Sequence, residues 1–532
     1  MNPQSPNNDK ENIAKTVSRN SLFTIVYNVW YLGSRLVLTP LILSYITIEE
    51  YGLWAYCFVV LSYLALTAFG FNNTYIRYAA DYRSRGENDK VNQLLSTGII
   101  SMVGIGLLLF LLFLPALPVL IPVLGIDPEL NRTAHRLFVG TAAIFVLNFS
   151  LAGYQCVLEG EQQIALVRKI HLFASVVELV LLLLFFRMGM GVFSLLWAYA
   201  IRFGLIILLT IFFAHRVFPF LSLRFRHLRV EALKKFGNFG GKMSVLGLLS
   251  LLINSVDRIF ITRILHLESA GLYEIGRKLP NIGMMLPSAV AGTLMPAASH
   301  LEGSGLHRKL RGMYLRSTRY IMLLSGLPYA FLIFFAPQII EVWVGPGYDA
   351  PARVMQILAL GTLINLFTGS GTACVRGMGL PGYEIRYMVI SAAMLLTLTP
   401  VFIYAAGLEG AAWAYTLAQA TGSLYFLHRA NGLFAVPWKT FIGQTVPPVL
   451  LIFAAGLPGL FLCRSLWADV ATSRWPGLFF LALFGCAHLI LALLLLLMAR
   501  NRLFTPEEKH RLSEITPPKP MIPLWSKLWN PQ

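Results

Sequence analysis

Residues Ile99–Leu120 read IISMVGIGLLLFLLFLPALPVL, 22 residues without a single charge. As a helix rising ~1.5 Å per residue, that run reaches about 33 Å, enough to cross the ~30 Å hydrocarbon core of a bilayer. Lipid offers no water to satisfy peptide groups, so a spanning segment must close its own backbone hydrogen bonds as a helix. Barrel strands alternate in polarity and are shorter, and this run does neither. Leu478–Met498 reads the same way. Val176–Phe186 and Leu205–Phe213 are the most apolar parts of longer candidate spans.

The rest of the chain follows from that segment. It has 532 residues, a mean hydropathy of +0.66 and only 13% charged residues, against about 25% in a soluble domain. The apolar periodicity predicts spans near 21–46, 52–73, 93–116, 134–158, 170–186, 191–214, 240–262, 271–298, 320–343, 354–375, 387–406, 410–428, 441–463 and 476–498. The expected fold class is all-α: a polytopic membrane protein of about fourteen transmembrane helices. The first 20 residues are polar, with no cleavable signal ahead of the first span, which is expected to act as an uncleaved insertion signal.

A formal charge of +18 raises nucleic acid as a partner, and the charge distribution excludes it. With the N-terminus cytoplasmic, about 30 of the 43 Lys and Arg fall on the cytoplasmic side, as topology requires. Arg216, Arg224, Arg226, Arg229, Lys234 and Lys235 crowd one loop, and Arg308, Lys309, Arg311 and Arg316 another. Such loops also suit anionic headgroups, so membrane lipids are expected partners. The five cysteines (Cys57, Cys156, Cys374, Cys463 and Cys486) are scattered, with no C-x-x-C and no zinc spacing. No Walker A loop, G-x-S-x-G or H-E-x-x-H is present, so neither ATP hydrolysis of that kind nor those catalytic chemistries are expected. A glycan polymerase or ligase would need a large outside loop, and the outside loops here are short. The chain does not read as an enzyme.

An internal repeat organises the spans. Trp197-Ala198-Tyr199 recurs as Trp413-Ala414-Tyr415, each six residues after a glycine (Gly191, Gly407). Asn148 matches Asn365, and Cys156-Val157 matches Cys374-Val375. Ile48-Glu49-Glu50-Tyr51-Gly52-Leu53-Trp54 resembles Leu267-Glu268-Ser269-Ala270-Gly271-Leu272-Tyr273. The offsets stay between about 216 and 219 residues. Six spans separate equivalent positions, an even number, so the two copies are parallel repeats. The expected domains are a cytoplasmic segment 1–20, an N-lobe of six helices 21–214 and a basic linker 215–239. A C-lobe of six helices follows at 240–430, then an added helix pair 431–498 and a cytoplasmic tail 499–532 centred on Thr516-Pro517-Pro518-Lys519-Pro520. Two lobes around a cavity suit alternating access, although duplicated halves also serve as plain scaffold.

Charges deep in a bilayer cost roughly 2.5–3.5 kcal/mol each on insertion scales, so they face a cavity or a partner. The candidates are Arg35 in the first span, Glu178 in the fifth, Arg202 in the sixth, Lys242, Asp257 and Arg258 in the seventh, and Arg277 with Lys278 in the eighth. Cations outnumber anions, and arginine's planar fork suits phosphate oxygens. Arg35 is too deep to snorkel easily. Asp257, Arg258 and Arg202 are open to either a cargo or a structural pairing role. Lys242 is placed to snorkel, and Arg277 and Lys278 either snorkel or line the cavity. Glu178 either carries a coupling proton or makes a local hydrogen bond. Pro40, Pro280, Pro287 and Pro296 predict kinks, as hinges or as packing features.

Gly33-Ser34-Arg35, Pro40-Leu41-Ile42-Leu43 and Glu49-Glu50-Tyr51-Gly52-Leu53-Trp54 together resemble the start of Wzx-type polysaccharide flippases. Tyr63-Leu64-Ala65-Leu66, Phe69-Gly70, Tyr78-Ala79-Ala80 and Asn254-Ser255-Val256-Asp257-Arg258 extend the likeness through the twelfth span. That family belongs to the multidrug/oligosaccharidyl-lipid/polysaccharide exporter superfamily. The resemblance implies two six-helix lobes that open inward and outward by turns. The implied cargo is an undecaprenyl-pyrophosphate-linked oligosaccharide, flipped from the cytoplasmic to the periplasmic leaflet. Arg35 and Arg258 best match family cavity arginines, with Arg202, Arg277, Lys278 and Asp257 beside them as substrate-site candidates and Glu178 as the ion-coupling candidate. Also implied are no cofactor or metal, coupling to a proton or sodium gradient or to membrane potential, and a bacterial inner-membrane location with both termini cytoplasmic. A glycan polymerase and a chain-length regulator are the expected protein partners. The competing reading is a cation-coupled multidrug exporter, whose cavity should be acidic or aromatic. A scaffold for glycan assembly would tolerate loss of Arg35 and Arg258.

Overall fold

The computed structural model describes residues 6–64, 71–470 and 474–499. Sixteen α-helices account for nearly all of them, and no strand occurs among the described residues. In chain order they are α1 Pro6–Leu43, α2 Ile48–Leu64, α3 Phe71–Ser84, α4 Asn88–Val123, α5 Asn131–Gly160, α6 Ile164–Arg187, α7 Phe193–Val217, α8 Val230–Gly283, α9 Met285–Gly303, α10 His307–Phe334, α11 Ala336–Trp343, α12 Asp349–Leu366, α13 Gly369–Gly377, α14 Gly382–Leu433, α15 Trp438–Val470 and α16 Arg474–Met498. The tail expected at 499–532 lies outside the described residues except for Ala499.

Ten of these helices are long and apolar enough to cross a membrane. Four of the fourteen expected spans are not separately among them. The span at 52–73 falls on α2 and the start of α3, with 65–70 between them outside the described residues. The spans at 240–262 and 271–298 fall on α8 and α9, and those at 387–406 and 410–428 share α14. Both long helices are broken where the sequence analysis expects loops. In α8, His266 leaves helical geometry at φ 67°, ψ 176°. In α14 the break falls at Ala406 and Gly407, where φ of 57° and ψ of −133° suit a residue without a side chain.

The surface of α4 has the polarity of a lipid-solvated helix. Leu108 and Leu112, near its middle, are 58% and 60% exposed. In water so continuous an apolar face would demand a partner; in a bilayer the acyl chains supply it.

The chain forms two compact units, Met1–Glu274 and Ile275–Gln532. In the first, α1 lies along α6, α4 along α5, and α6 and α5 both along α7. Asn20, inside α1, pins that helix to the α5–α6 turn: its amide donates to the Gln162 carbonyl at 2.9 Å and accepts from the Ala165 amide at 2.9 Å. Its core gathers Tyr75, Ala79, Val91, Leu94, Leu95, Tyr154 and Val157, all buried. α2 meets the second part of α8 within this unit, at Gly52 and Gly271. In the second unit α12 packs on α14, α10 on α12 and α15, and α15 on α16. Phe335, Val342, Leu481 and Phe484 form a cluster that fixes α16 to α11.

Candidate functional site

Three of the singled-out charges meet in the first unit. Arg35 of α1 donates from Nη2 to both carboxylate oxygens of Glu178 on α6, at 3.0 and 2.8 Å. Arg202 of α7 approaches the same carboxylate with Nη1, 3.2 Å from Oε2. Glu178 and Arg202 are buried, while the Arg35 side chain keeps 26% of its surface open. Two guanidinium groups share one carboxylate, so the group of three carries one net positive charge. Nε of Arg35 and Nε of Arg202 are buried without a hydrogen-bond partner. Buried donors left unused are costly, and they are the groups to which an incoming anion has most to offer.

The local sequence explains the arrangement. α1 crosses α6 along a face that carries Asn20, Tyr27, Trp30, Tyr31 and Arg35, and the indole N–H of Trp30 donates to Ser175 Oγ at 2.9 Å. Ser175 and Glu178 lie three residues apart, on one face of α6. Tyr31 lies beneath both cations, its ring centroid 5.1 Å from the Arg35 guanidinium carbon and 5.6 Å from that of Arg202. The electron-rich ring face attracts both groups. One step along the helix, Tyr27 meets the His171 ring edge-on at 5.7 Å. His171 is 3.1 Å from Gln155, whose amide donates to Glu159 at 3.1 Å.

Arg258 does not join this group. It pairs with Glu274 at 3.3 Å and donates to the Asn254 carbonyl at 2.6 Å. Its neighbour Asp257 points elsewhere, as adjacent residues on a helix do. The Asp257 carboxylate is wholly buried and accepts from the Tyr273 hydroxyl at 2.8 Å and the Arg258 amide at 2.9 Å. Two residues earlier, Ser255 donates to the Tyr63 hydroxyl of α2 at 2.8 Å. Arg277, in the second unit, is buried over the Tyr415 ring at 5.8 Å. Lys278 beside it is half-buried. The side chain of Lys242 is outside the described residues.

The repeat clarifies these placements. An offset of 219 makes Phe58 and Arg277 equivalent, and each sits against the tyrosine of its own Trp-Ala-Tyr motif: Phe58 5.3 Å from Tyr199, Arg277 over Tyr415. The three-charge group has no such copy. Asn254, Leu395 and Ala418 stand at the positions equivalent to Arg35, Glu178 and Arg202. The charges therefore belong to the first half by specialisation, not by duplication.

Two charged features escaped the sequence analysis. Arg319 is 2% exposed inside α10, although the basic run from Arg308 to Arg316 reads as loop. Arg376 forms a bidentate pair with buried Glu384 across the turn between α13 and α14. A cavity of about 290 Å³ opens beside that pair, lined by Ser288, Met295, Thr368, Thr372 and Tyr387 among others. The available signal was an arginine and a glutamate flanking Gly379-Leu380-Pro381-Gly382.

Comparison with known proteins bears on this architecture. Residues 45–352 match the family described as polysaccharide biosynthesis protein. The "Uncharacterized membrane protein EpsK" of Bacillus subtilis is 21% identical over 65% of this chain and 67% of its own length. The "Probable low-salt glycan biosynthesis flippase" of Haloferax volcanii is 23% identical, over 34% of this chain and only 38% of its own. The "Putative O-antigen transporter" of Shigella flexneri is 18% identical over 69% and 87%. Among solved structures, the lipid II flippase MurJ in an inward closed conformation superposes with a TM-score of 0.68 at 15% identity, covering 91% of this chain and 99% of that one. An inward-facing multidrug resistance transporter of the same superfamily gives 0.64 at 17%, covering 78% and 94%. At these identities the superpositions show a shared transporter fold.

Proposed function

The chain belongs to the polysaccharide biosynthesis protein family, a multi-pass membrane protein with a superfamily transporter fold, and from that premise we propose that it flips a lipid-linked glycan across the bilayer. The cargo in this reading is an undecaprenyl-pyrophosphate-linked oligosaccharide, carried from the cytoplasmic to the outer leaflet of a bacterial inner membrane. Both termini are cytoplasmic, which the asymmetry of Lys and Arg supports. Relatives named as a flippase and as an O-antigen transporter support the cargo class. The chain acts as a carrier and not as a catalyst.

The observation that carries this reading is the shared carboxylate of Glu178 between Arg35 and Arg202. It is an anion seat held by an internal anion. A diphosphate offers the same geometry as Glu178, with more oxygens and more charge, so it displaces the carboxylate from one or both arginines. The two unpartnered Nε donors then gain acceptors. Once the headgroup leaves, Glu178 returns and neutralises the empty site, which keeps two cations from being stranded in a low-dielectric interior during the return step. Rocking of one six-helix lobe against the other supplies alternating access, and an ion gradient or the membrane potential drives it.

The drug-exporter reading expects a site lined by carboxylates or aromatic rings. Tyr27, Trp30 and Tyr31 are aromatic, but the ring nearest the carboxylate, Tyr31, already lies against two arginines. A cationic drug meets net repulsion at this site.

The test uses the full chain in proteoliposomes with a fluorescent undecaprenyl-pyrophosphate-linked sugar, scoring the fraction that reaches the far leaflet. Arg35→Ala and Arg202→Ala should each reduce the initial rate tenfold or more. A rate equal to the unmodified chain in both variants overturns the site. Absence of translocation in the unmodified chain, with transport of a cationic dye in its place, overturns the function.

A further inference from the structure

The linker between α7 and α8, residues 218–229, is a strap tied down along one side and bare along the other. Three α4 side chains hold its backbone, each bonding both a peptide N–H and a carbonyl. Asn92 donates to the Phe220 carbonyl and accepts from the Ser222 amide, both at 2.9 Å. Ser96 accepts from the Arg224 amide at 3.2 Å and donates to the Ser222 carbonyl at 3.3 Å. Thr97 accepts from the Arg229 amide at 3.0 Å and donates to the His227 carbonyl at 3.4 Å. All three side chains are buried. Phe218 and Phe220 point inward, and the guanidinium of Arg83 rests against both rings, 5.6 and 4.7 Å from their centroids. Arg83 is fixed in turn by Glu161 at 3.3 Å and Asn88 at 2.7 Å.

The outer side has the opposite character. Leu223, Phe225 and Leu228 are exposed, Phe225 by 78%. Arg224, Arg226 and Arg229 alternate with them and are exposed too. Among the described residues none of these three arginines forms an ion pair. No acidic residue occurs anywhere between Glu178 and Glu231. A backbone this well anchored does not need three bare hydrophobic side chains for its own stability. They are large residues held out from a fixed edge at the ends of two membrane spans, α4 and α7. Apolar side chains sink into the headgroup–acyl boundary while arginines beside them stay at phosphate depth.

We propose that the strap is a binding site for the headgroups of anionic phospholipids, on the membrane face from which α4 and α7 emerge. The arginines take the phosphates, and Phe225 with the two leucines inserts between the lipids. A free phosphate ion would use only the arginines and leave the apolar residues in water. The alternation of the two kinds of side chain therefore favours a lipid surface.

The full chain, purified in neutral detergent, is titrated with phosphatidylglycerol and separately with phosphatidylcholine, and retained lipid is counted by native mass spectrometry. Preferential retention of phosphatidylglycerol is expected. At about 1 kcal/mol per surface arginine, Arg224→Gln/Arg226→Gln/Arg229→Gln should weaken it on the order of 100-fold. Phe225→Ser/Leu228→Ser should weaken it without any change of charge, and glycerol phosphate should not compete. If the triple variant loses its thermal transition, Arg226→Gln alone should weaken retention roughly 5-fold. Equal retention of both lipids by the unmodified chain overturns the proposal, as does unchanged phosphatidylglycerol retention in the arginine variants. Competition by glycerol phosphate with no effect of the apolar pair would make it a soluble-anion site. Loss of a co-purifying protein with lipid retained would make it a protein-docking surface. Either result overturns the lipid assignment.

Discussion

Gly52 and Gly271 block each other's side chains reciprocally. A Cβ on Gly52 would lie 2.5 Å from the Leu267 carbonyl oxygen, and one on Gly271 would lie 2.5 Å from the Ile48 carbonyl oxygen. The two segments are the matched pair of the internal repeat, so the contact is one residue pair used twice about a local two-fold. Small residues let helix backbones approach this closely within a membrane.

Gly52→Ala and Gly271→Ala should therefore each destabilise the chain, by about 1–3 kcal/mol for a clash with rigid backbone. Gly33→Ala on α1 is the control, since nothing lies within 4 Å of that position. Thermal unfolding in detergent checks this. Equal midpoints for Gly52→Ala and Gly33→Ala would show that the helices separate at no cost.

Glu178→Gln should split the kinetic constants. The amide is isosteric but releases the two arginines, so the site binds a diphosphate more tightly. It then lacks the anion that resets the empty state. Titration of the lipid-linked sugar in proteoliposomes should give a lower KM together with a kcat at least tenfold lower. A purely structural carboxylate would lower kcat with KM unchanged, through loss of folded protein.

Tyr31 supports both cations with one ring. A cation over an aromatic face is worth about 0.5–2 kcal/mol. Tyr31→Leu should therefore cost more stability and more transport than Tyr31→Phe, which keeps the ring. Parallel thermal and translocation assays of the two variants check the order. Equal losses would assign the effect to the hydroxyl.

The fold was largely legible because membrane burial is written in composition. Uncharged runs marked the helices, and the breaks at His266 and Gly407 fall where loops were expected. Arg35, Glu178 and Arg202 were each visible as charges where charge is expensive. Their convergence was not visible, because Arg35 and Glu178 are 143 residues apart in sequence and only the packing of α1 on α6 brings them together. The same limit separated Arg258 from Arg35: both read as cavity arginines, yet Arg258 finds Glu274 across the break at His266. Arg319 was hidden for a different reason. α10 begins at His307, so a basic helical turn reads as loop and the arginine that follows it reads as exposed.

The turn between α13 and α14 offers a swap already carried out by the repeat. In the first half, Glu159 near the end of α5 pairs with Arg168 near the start of α6 at 3.5 Å. In the second half the order is reversed, with Arg376 near the end of α13 and Glu384 near the start of α14. The same hairpin thus accepts either polarity, provided both charges are present. Glu384 is buried and the Arg376 side chain is about half exposed. Arg376→Glu alone places two carboxylates together and should cost more than Arg376→Ala. Glu384→Arg alone buries an unmatched cation. The double variant Arg376→Glu/Glu384→Arg should recover more than half of the summed loss, a coupling of at least ~1 kcal/mol. Thermal midpoints of the four proteins close the cycle. Additive losses would mean that the pair contributes through packing and not through charge.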